Sequence, residues 1–310
     1  MKAVYFEKTG GPDVLRYGDL PDPMPAEGEV LVNIHAASIN GVDWRIRSGR
    51  YKEITNFPFV LGRDFSGVVD AVGAGVDKQL IGTAVFGVCN TTQDSAYAEK
   101  ISISQKNIAC KPDWISHEEA AALALTGLTA IVSIEETLQL QKGERILIQG
   151  GAGGVGSFAI QLARHLGATV VTTASESNHE YLKALGANEV IDYQKFDFTS
   201  CVSDCDAVLD TIGGEVAERS FRVLRSGGRA AFIASGPEAP QSPRKDIRSL
   251  RPQVTRELVY LERILSLVRI GAVKMPAITL FHLSEAVKAH QLSESRHFRG
   301  KLVFRIRDAS

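Results

Sequence analysis

The chain has 310 residues, of which 44% are hydrophobic and 23% are charged, and its formal net charge is -1. This balance is typical of a globular protein with room for two domains, and it offers no basic surplus for binding nucleic acid or an anionic membrane. We expect a cytoplasmic protein, because the four cysteines form no CxxC pair, Glu7 and Lys8 interrupt the N-terminus too early for a signal peptide, and no apolar run approaches the roughly 18 residues of a membrane span.

The first 120 residues read as a series of short strands. Three of them are predicted at Lys2 to Phe6, Glu29 to Ile34 and Gly67 to Val72, separated by turn clusters such as the proline-rich segment 20–25. The sequence therefore predicts an all-β first domain.

The pattern becomes helical at Ser116. Ser116 and Glu119 have the spacing of a capping box, which opens a helix rich in alanine and leucine. We expect Gly127 to break this helix and a second helix to run from about Leu128 to Leu138. His117, in the first turn, is interpreted as a surface residue rather than a ligand.

A glycine-rich loop follows the next predicted strand. The apolar run Ile146 to Ile148 predicts a buried strand, and the apolar periodicity from Phe158 to Leu166 predicts a helix. Between them the spacing GxGxxG favours nucleotide binding, because glycines let the backbone approach a pyrophosphate at the helix N-terminus. The residues expected to contact the cofactor there are Gly151, Ala152, Gly153, Gly154 and Val155.

Strands and helices then alternate, which predicts a doubly wound parallel sheet. The four further strands are predicted at Thr169 to Thr173, Glu189 to Asp192, Ala207 to Asp210 and Arg229 to Ile233, with a helix at Glu180 to Leu185. After them we expect a mobile loop from Gly236 to Pro252, whose arginines and lysine form a solvated surface, and a helix from Glu257 to Val268. The tail is predicted to hold a helix at Ser284 to Gln291 and a strand at Lys301 to Ile306.

Several motifs spread over nearly the whole chain resemble the medium-chain dehydrogenase/reductase superfamily. The resemblance implies a GroES-like β-barrel domain at 1–122, a Rossmann cofactor domain at 123–262 and a return to the first domain at 263–310. Within the superfamily the chain is similar to the quinone oxidoreductase, or zeta-crystallin-like, branch. The motifs that carry it are ASIN with Asp43, LGRDFSG at 61–67, LTGLTA at 125–130, GAGGVG at 151–156, LGA at 185–187, GG at 227–228 and GKLV at 300–303.

The residues at the zinc positions of the superfamily argue against a metal. Matched motif to motif, the three catalytic zinc ligands of zinc members correspond here to Asn40, Arg63 and Ala122. None is a usual zinc ligand, and catalytic zinc requires three ligands of Cys, His or carboxylate type. We therefore expect no metal.

The expected activity is NADPH-dependent hydride transfer to a quinone or an α,β-unsaturated carbonyl. Without a Lewis acid a simple ketone is poorly polarised, whereas a conjugated acceptor spreads the developing charge onto a distant oxygen. An alternative is a catalytically inactive, cofactor-binding protein with a regulatory or structural role. The resemblance also suggests a homodimer, with a small-molecule substrate and neither nucleic acid nor membrane as partner.

The resemblance indicates further site residues, each with a plainer interpretation. Asn40 is expected to be the polar anchor near the nicotinamide ribose and substrate, or else a turn residue supported by Asp43. Tyr51 matches an aromatic position of the substrate cleft, although a packing role is as plausible. Four residues are expected to contact the cofactor: Thr126, which follows a predicted helix end, Ile212, Ile233 and Lys301. The alternative for the two isoleucines is a place in the core, and the alternative for Lys301 is a surface lysine.

The end of the second strand of the cofactor domain predicts a preference for NADPH. NAD enzymes place an acidic residue about 20 residues beyond the glycine motif, and here that position is Ser175. Tyr193 matches a position near the 2′-phosphate in NADPH-using relatives. Glu176 follows Ser175 directly and could instead hold the ribose of NADH, so the preference is expected to be modest.

Overall fold

The computed structural model describes residues 1–51, 53–90, 95–236 and 238–307. They form two compact units. The first comprises Met1–Leu125, Arg256–Ile264 and Pro276–Ser310, and the second comprises Thr126–Thr255 and Leu265–Met275. The domain boundaries at residues 122 and 262 stay predictions.

The first unit is built mainly of β-structure. Its strands are β1 (Lys2–Phe6), β2 (Arg16–Asp19), β3 (Glu29–Ile39), β4 (Phe59–Val60), β5 (Asp64–Val72), β6 (Ala84–Val88), β7 (Lys100–Ser104) and β8 (Ile108–Cys110), with β15 (Ile278–His282) and β16 (Lys301–Arg305) from the tail. Its helices are α1 (Gly41–Arg47) and α8 (Ala286–Ser295).

Strand β3 is the centre of the larger sheet of this unit. β5 pairs with it antiparallel, β16 pairs with it antiparallel on the other side, and β7 pairs with its first half. β3 extends to Ile39, five residues beyond the predicted end, and most of its residues are buried. The registers place Leu302 opposite Ile39 and Phe65 opposite Ala37. The end of β3 is therefore flanked by the first residues of β5 and β16.

The second unit is the predicted doubly wound parallel sheet. Its strand order is β11-β10-β9-β12-β13-β14, the arrangement of a dinucleotide-binding fold. The strands are β9 (Arg145–Gln149), β10 (Thr169–Ala174), β11 (Glu189–Asp192), β12 (Cys205–Asp210), β13 (Leu224–Phe232) and β14 (Arg248–Leu250). The helices between them are α3 (Gly154–His165), α4 (His179–Leu185), α5 (Phe198–Cys201) and α6 (Glu215–Ser220).

Two helices belong partly to each unit, α2 (His117–Ile131) and α7 (Leu258–Arg269). The capping box that opens α2 is confirmed, since Ser116 Oγ accepts from the amide of Glu119 and the carboxylate of Glu119 accepts from the amide of Ser116. The predicted break at Gly127 is wrong: α2 runs through it and continues as a π-helical segment, Val132–Thr137. A single glycine costs a helix only about 1 kcal/mol, which burial of this apolar segment offsets.

The expectation that no apolar run approaches the length of a membrane span is also wrong for this segment. By length and composition alone, His117–Thr137 could cross a membrane, and 83% of its apolar window is buried within the protein. Core helices of globular proteins share that property.

The segment from Gly236 to Pro252 differs from the predicted mobile loop. It contains β14, which pairs in parallel with β13. Arg244 forms an ion pair with Asp246 and donates to the carbonyl of Leu224, so this residue is not simply solvated. The strand was missed because β14 is three residues long and begins with arginine. The prediction also missed β15, which is an edge strand of its sheet. Two of its apolar residues are not buried: Ile278 is half-buried and Leu280 is exposed.

Candidate functional site

The carboxyl ends of the parallel strands in the second unit bring five predicted regions to one edge of the sheet. The glycine loop follows β9, Ser175 follows β10, Tyr193 follows β11, Ile212 follows β12 and Ile233 follows β13. In a doubly wound sheet this edge is where ligands bind.

The glycines of the loop serve different purposes. Gly150 has φ +76°, which favours glycine, and a Cβ on Gly156 would lie 2.3 Å from the carbonyl oxygen of Gly150. A Cβ on Gly151 would lie 2.2 Å from Thr172 Oγ1. Gly153, the N-cap of α3, differs: its φ is -75°, and among the described residues a Cβ there would have one neighbour within 4 Å, the carbonyl oxygen of Gly150 at 3.6 Å. Gly153 thus leaves space at a helix N-terminus that the protein itself does not fill, and this fits a pyrophosphate.

The loop after β10 contains the predicted selector of the cofactor. Ser175 is half-buried, and its Oγ accepts from Asn178 Nδ2 at 3.0 Å. Glu176 is exposed and pairs with Lys195, with 2.6 Å between Nζ and Oε2. Tyr193, two residues before Lys195, is 51% exposed. A cation therefore balances the charge of Glu176 beside Ser175.

The other predicted cofactor residues of this unit occupy different settings. Ile212 lies against the glycine loop, because a Cβ on Gly150 would approach its Cδ1 to 2.7 Å. The amide of Ile233 donates to the carbonyl of Asp210 at the end of β12. Thr126 is buried inside α2 and does not follow a helix end, since the predicted break is absent.

Asn40 directly follows β3 and is the N-cap of α1 in the first unit. Its Oδ1 accepts from Lys301 Nζ at 2.7 Å. Its Nδ2 donates to Asp64 Oδ1 at 2.7 Å and, more weakly, to the carbonyl of Ser38 at 3.4 Å. As predicted, Asp43 supports the turn, for its carboxylate accepts from the amide of Asn40 at 2.7 Å and from the hydroxyl of Tyr97.

Lys301 is not a surface lysine, the plainer interpretation of it. The residue is 3% exposed, and its ammonium also donates to the carbonyl of Ile39 at 3.0 Å. Burial lowers the pKa of Lys301, and burial raises the pKa of Asp64, while the charge of each opposes the shift of the other. Sequence reasoning missed Asp64 as part of this group, although an aspartate at the start of an apolar strand is itself a signal.

Tyr51 and Arg63 form a separate contact in this unit. The guanidinium of Arg63 lies 5.3 Å from the centroid of the Tyr51 ring, within cation–π range. Tyr51 is 42% exposed, whereas Arg63 is 4% exposed. The guanidinium of Arg45 lies over the ring of Trp44, 5.3 Å from its centroid.

His117 is half-buried, so the prediction of a surface residue is wrong. Its ring stacks on that of His35 with centroids 4.4 Å apart, and its Nδ1 is 2.7 Å from Ser66 Oγ. Burial, followed by the charge of His35, lowers the pKa of His117 to about 4. Among the described residues, no group of three or more His, Cys, Asp and Glu side chains is placed to hold a metal ion.

Comparisons with known proteins agree with this geometry. Residues 26–113 match the model of the alcohol dehydrogenase GroES-like domain, and residues 185–304 match that of the zinc-binding dehydrogenase. The chain is similar to 2-methylene-furan-3-one reductase of Solanum lycopersicum, with 34% identity over 98% of this chain and 78% of the relative. It is also similar to the NADPH-dependent alkenal/one oxidoreductase, chloroplastic, of Arabidopsis thaliana, with 32% identity over 98% and 79%.

Among solved structures, the quinone oxidoreductase from Coxiella burnetii matches with a TM-score of 0.92, 36% identity and 99% coverage of both chains. The chain belongs to the quinone oxidoreductase family of medium-chain dehydrogenases/reductases. It is an oxidoreductase, and the predicted combination of a Rossmann domain with a GroES-like domain is confirmed.

The residues at the three zinc-ligand positions of this chain do not fit zinc. Ala122 offers a methyl group packed with Ala36 and Val303. Arg63 offers a guanidinium, which is always cationic, and both polar atoms of the Asn40 amide are hydrogen-bonded to Lys301 and Asp64. A buried ammonium and guanidinium would repel a divalent ion rather than hold it.

We therefore expect activity to be independent of metal. Dialysis against a chelator should leave the turnover rate unchanged, and added zinc should not raise it. Measuring turnover and bound metal before and after dialysis tests this expectation. A loss of activity that zinc restores would contradict it, with a zinc-dependent alcohol dehydrogenase serving as the positive control.

Proposed function

We propose that the protein is an NADPH-dependent reductase of quinones or α,β-unsaturated carbonyl compounds that works without zinc. The observation that carries the proposal is the open space beside Gly153 at the N-terminus of α3, where a Cβ would meet, among the described residues, the Gly150 carbonyl oxygen alone. The names of the relatives support the chemistry, since they include an NADPH-dependent alkenal/one oxidoreductase and a quinone oxidoreductase.

In this proposal the bound cofactor supplies the hydride, and the protein binds, orients and desolvates the reacting groups. Gly151, Ala152, Gly153, Gly154 and Val155 would hold the pyrophosphate. Ile212 and Ile233 would border the cofactor at the sheet edge, and Thr126 would lie toward the nicotinamide. In the first unit, Asn40, Tyr51 and Lys301 would belong to the substrate and nicotinamide side. A solvent proton completes the reduction, so no dedicated acid is required.

Absorbance measurements of NADPH oxidation with a panel of quinones, enones and saturated ketones test the proposal. We expect turnover with the conjugated acceptors and none with matched saturated ketones, because only conjugation moves the developing charge away from the carbon that receives hydride. Tight NADPH binding without turnover of any acceptor would contradict the reductase and favour a regulatory role.

We also propose a preference for NADPH over NADH, supported by Ser175 and by the ion pair between Glu176 and Lys195. Lys195→Gln should lower the ratio of kcat/KM for NADPH to that for NADH by about threefold to fivefold, because an unbalanced Glu176 repels a 2′-phosphate and an exposed pair contributes up to about 1 kcal/mol. Glu176→Lys should raise the same ratio.

The matched control for this experiment is Lys183→Gln. Lys183 forms a similar exposed pair, with Glu180 in α4 at 3.3 Å, and its removal should not alter the ratio. Should the wild type prefer NADH and Glu176→Lys reverse that preference, Glu176 rather than Ser175 is the selector.

A cytoplasmic homodimer is also part of the proposal. All four cysteines are free thiols, which suits a reducing compartment. The Arabidopsis relative is chloroplastic, so the compartment is tested by fractionation of the native host and the dimer by sedimentation equilibrium.

A further inference from the structure

Three strands of the first unit bring an ammonium, an amide and a carboxylate together, and these three groups form one buried series of hydrogen bonds. Asn40 follows β3, Lys301 opens β16 and Asp64 opens β5, and β3 lies between the other two strands. Asn40, Lys301 and Asp64 are 8%, 3% and 0% exposed. The sheet topology therefore sets the order Lys301–Asn40–Asp64.

The chemistry of the two ends fixes the orientation of the Asn40 amide. An ammonium can only donate, and a carboxylate can only accept. Oδ1 of Asn40 must therefore face Lys301, and Nδ2 must face Asp64, as their 2.7 Å distances show. A flipped amide would set two donors against each other at one end and two acceptors at the other.

Asp64 is itself held by further donors. Ser38 Oγ lies 2.8 Å from both carboxylate oxygens, and the amide of Leu125 donates to Oδ2 at 3.2 Å. Lys301 at one end is thus held by the backbone of β3, and Asp64 at the other end is held by Ser38 and by the backbone of α2.

Such a series of hydrogen bonds between buried charges contributes little net stability to a fold. Two buried charges lose their hydration, and well-packed apolar residues in the same place are often at least as stabilising. The arrangement instead specifies one geometry for one amide. Because one hydrogen of Nδ2 is directed to Asp64 and the other to the Ser38 carbonyl, Asn40 retains no free donor, while Oδ1 accepts from Lys301 and faces the Asp43 amide in the capping box of α1.

We propose that Asp64 and Lys301 are positioning residues, which hold the Asn40 carboxamide in the one orientation that the bound cofactor or substrate requires. Asn40 is then not the donor that stabilises a developing oxyanion. This inference rests on the proposed function, which supplies the ligand. The Kd of NADPH tests the inference even if the protein reduces no acceptor.

Exchanging the amide and the carboxylate provides the decisive experiment. Asn40→Asp alone sets a second carboxylate beside Asp64, and Asp64→Asn alone leaves the Lys301 ammonium buried without its counter-charge. The double variant Asn40→Asp/Asp64→Asn restores the net charge and keeps an acceptor at position 40 facing Lys301. The Kd of NADPH by fluorescence, the Tm, and kcat and KM with a quinone are measured for all four full-length proteins.

We expect each single variant to weaken NADPH binding or to lower kcat/KM by at least about tenfold, since breaking a buried, hydrogen-bonded charge pair has a large effect. The double variant should regain Tm and return both quantities to within about threefold of the wild type, a factor below 1 kcal/mol. Recovery of Tm without recovery of binding and turnover would show that position 40 must donate. Single variants that bind and turn over normally would show that Asp64 does not position Asn40.

A second ion pair, between a buried arginine and a partly buried glutamate, distinguishes positioning from general loss of stability. Arg229 and Glu144 form a two-bond ion pair in the second unit, with distances of 2.5 and 3.0 Å and side chains 8% and 17% exposed. Glu144→Gln should lower Tm without changing the Kd or KM. If it weakens binding as much as Asp64→Asn, the effect is one of stability, and the proposal is overturned.

Ser38→Ala covers the case in which the single charge variants do not fold. It removes one donor to Asp64 and changes no charge. A threefold or larger change in the Kd of NADPH or in kcat, at roughly constant Tm, supports positioning, and no change contradicts it. If the wild type binds NADPH but reduces no acceptor, the proposed function fails, while the Kd values still decide the positioning role.

Discussion

Gly153→Val is expected to weaken NADPH binding by at least about a hundredfold, or about 2.7 kcal/mol, while the protein stays folded. The backbone at Gly153 has φ -75° and ψ 168°, which any residue adopts, and in the described part of the chain a Cβ there would meet only the Gly150 carbonyl oxygen, at 3.6 Å. The valine methyl groups would instead fill the space that a pyrophosphate needs. Fluorescence titration and thermal unfolding measure the two quantities separately.

The same loop supplies the control. Gly151→Ala places its Cβ 2.2 Å from Thr172 Oγ1, a buried hydroxyl that already donates to the carbonyl of Ile148. This variant should therefore lower Tm, whereas Gly153→Ala should leave Tm almost unchanged and still weaken binding. An unaltered NADPH affinity in a folded Gly153→Val protein would mean that Gly153 serves the turn alone.

The cofactor-binding unit was largely predictable because its signals are local. The apolar run at Ile146 to Ile148, the glycine spacing and the helix that follows lie within about 20 residues of one another, and each element forms where its pattern indicates. The third strand, Glu189 to Asp192, has the predicted bounds, and Gly186 ends α4 in a left-handed conformation as glycine after a helix does.

The Asn40 site was only partly predictable because its contacts are not local. The resemblance indicated Asn40 and Lys301, which are 261 residues apart, but no pattern within the sequence shows that they share a hydrogen bond. Asp64 lay within a quoted motif, yet its partnership depends on the register of β3 with β5. Side-chain pairing of this kind follows from strand order, which emerges only when the whole sheet is formed.

The continuous α2 helix shows how tertiary packing overrides a local signal. Gly127 predicts a break, but the residues around it are buried, and their burial outweighs the low helix propensity of one glycine. Tertiary packing also decides the burial of His117. Its ring is half-buried because it stacks on the ring of His35, which β3 brings next to the first turn of α2.

A buried histidine leads to a prediction about acid stability. His290 in α8 is fully buried, and its Nδ1 lies 3.1 Å from Arg47 Nη1. Because the guanidinium only donates, Nδ1 must accept and the imidazole must be neutral. Burial, followed by the charge of Arg47, lowers the pKa of His290 to about 3.

The direction of the pH effect follows from the two protonation states. In the unfolded chain His290 takes up a proton near its usual pKa of about 6.5, whereas in the folded protein it does so only near pH 3. As pH falls from about 6.5 toward 3, His290 therefore binds a proton in the unfolded state but not in the folded state. Stability should then decline by up to about 1.4 kcal/mol per pH unit, or about 2 kcal/mol between pH 6.5 and 5.

His290→Asn should reduce this slope, because an amide oxygen can accept from Arg47 without titrating. The variant is expected to be less stable than the wild type at pH 7, where the smaller side chain leaves a void, but its free energy of unfolding should change less between pH 6.5 and 5, a range above the titration of most carboxylates. Urea unfolding at four or five pH values measures the slopes. His117→Gln should flatten the slope in the same direction, because burial lowers the pKa of His117 as well, and the half-buried ring makes that effect the smaller of the two. Equal slopes in the wild type and His290→Asn would mean that the buried imidazole is protonated along with the unfolded chain, and that Arg47 does not hold it neutral.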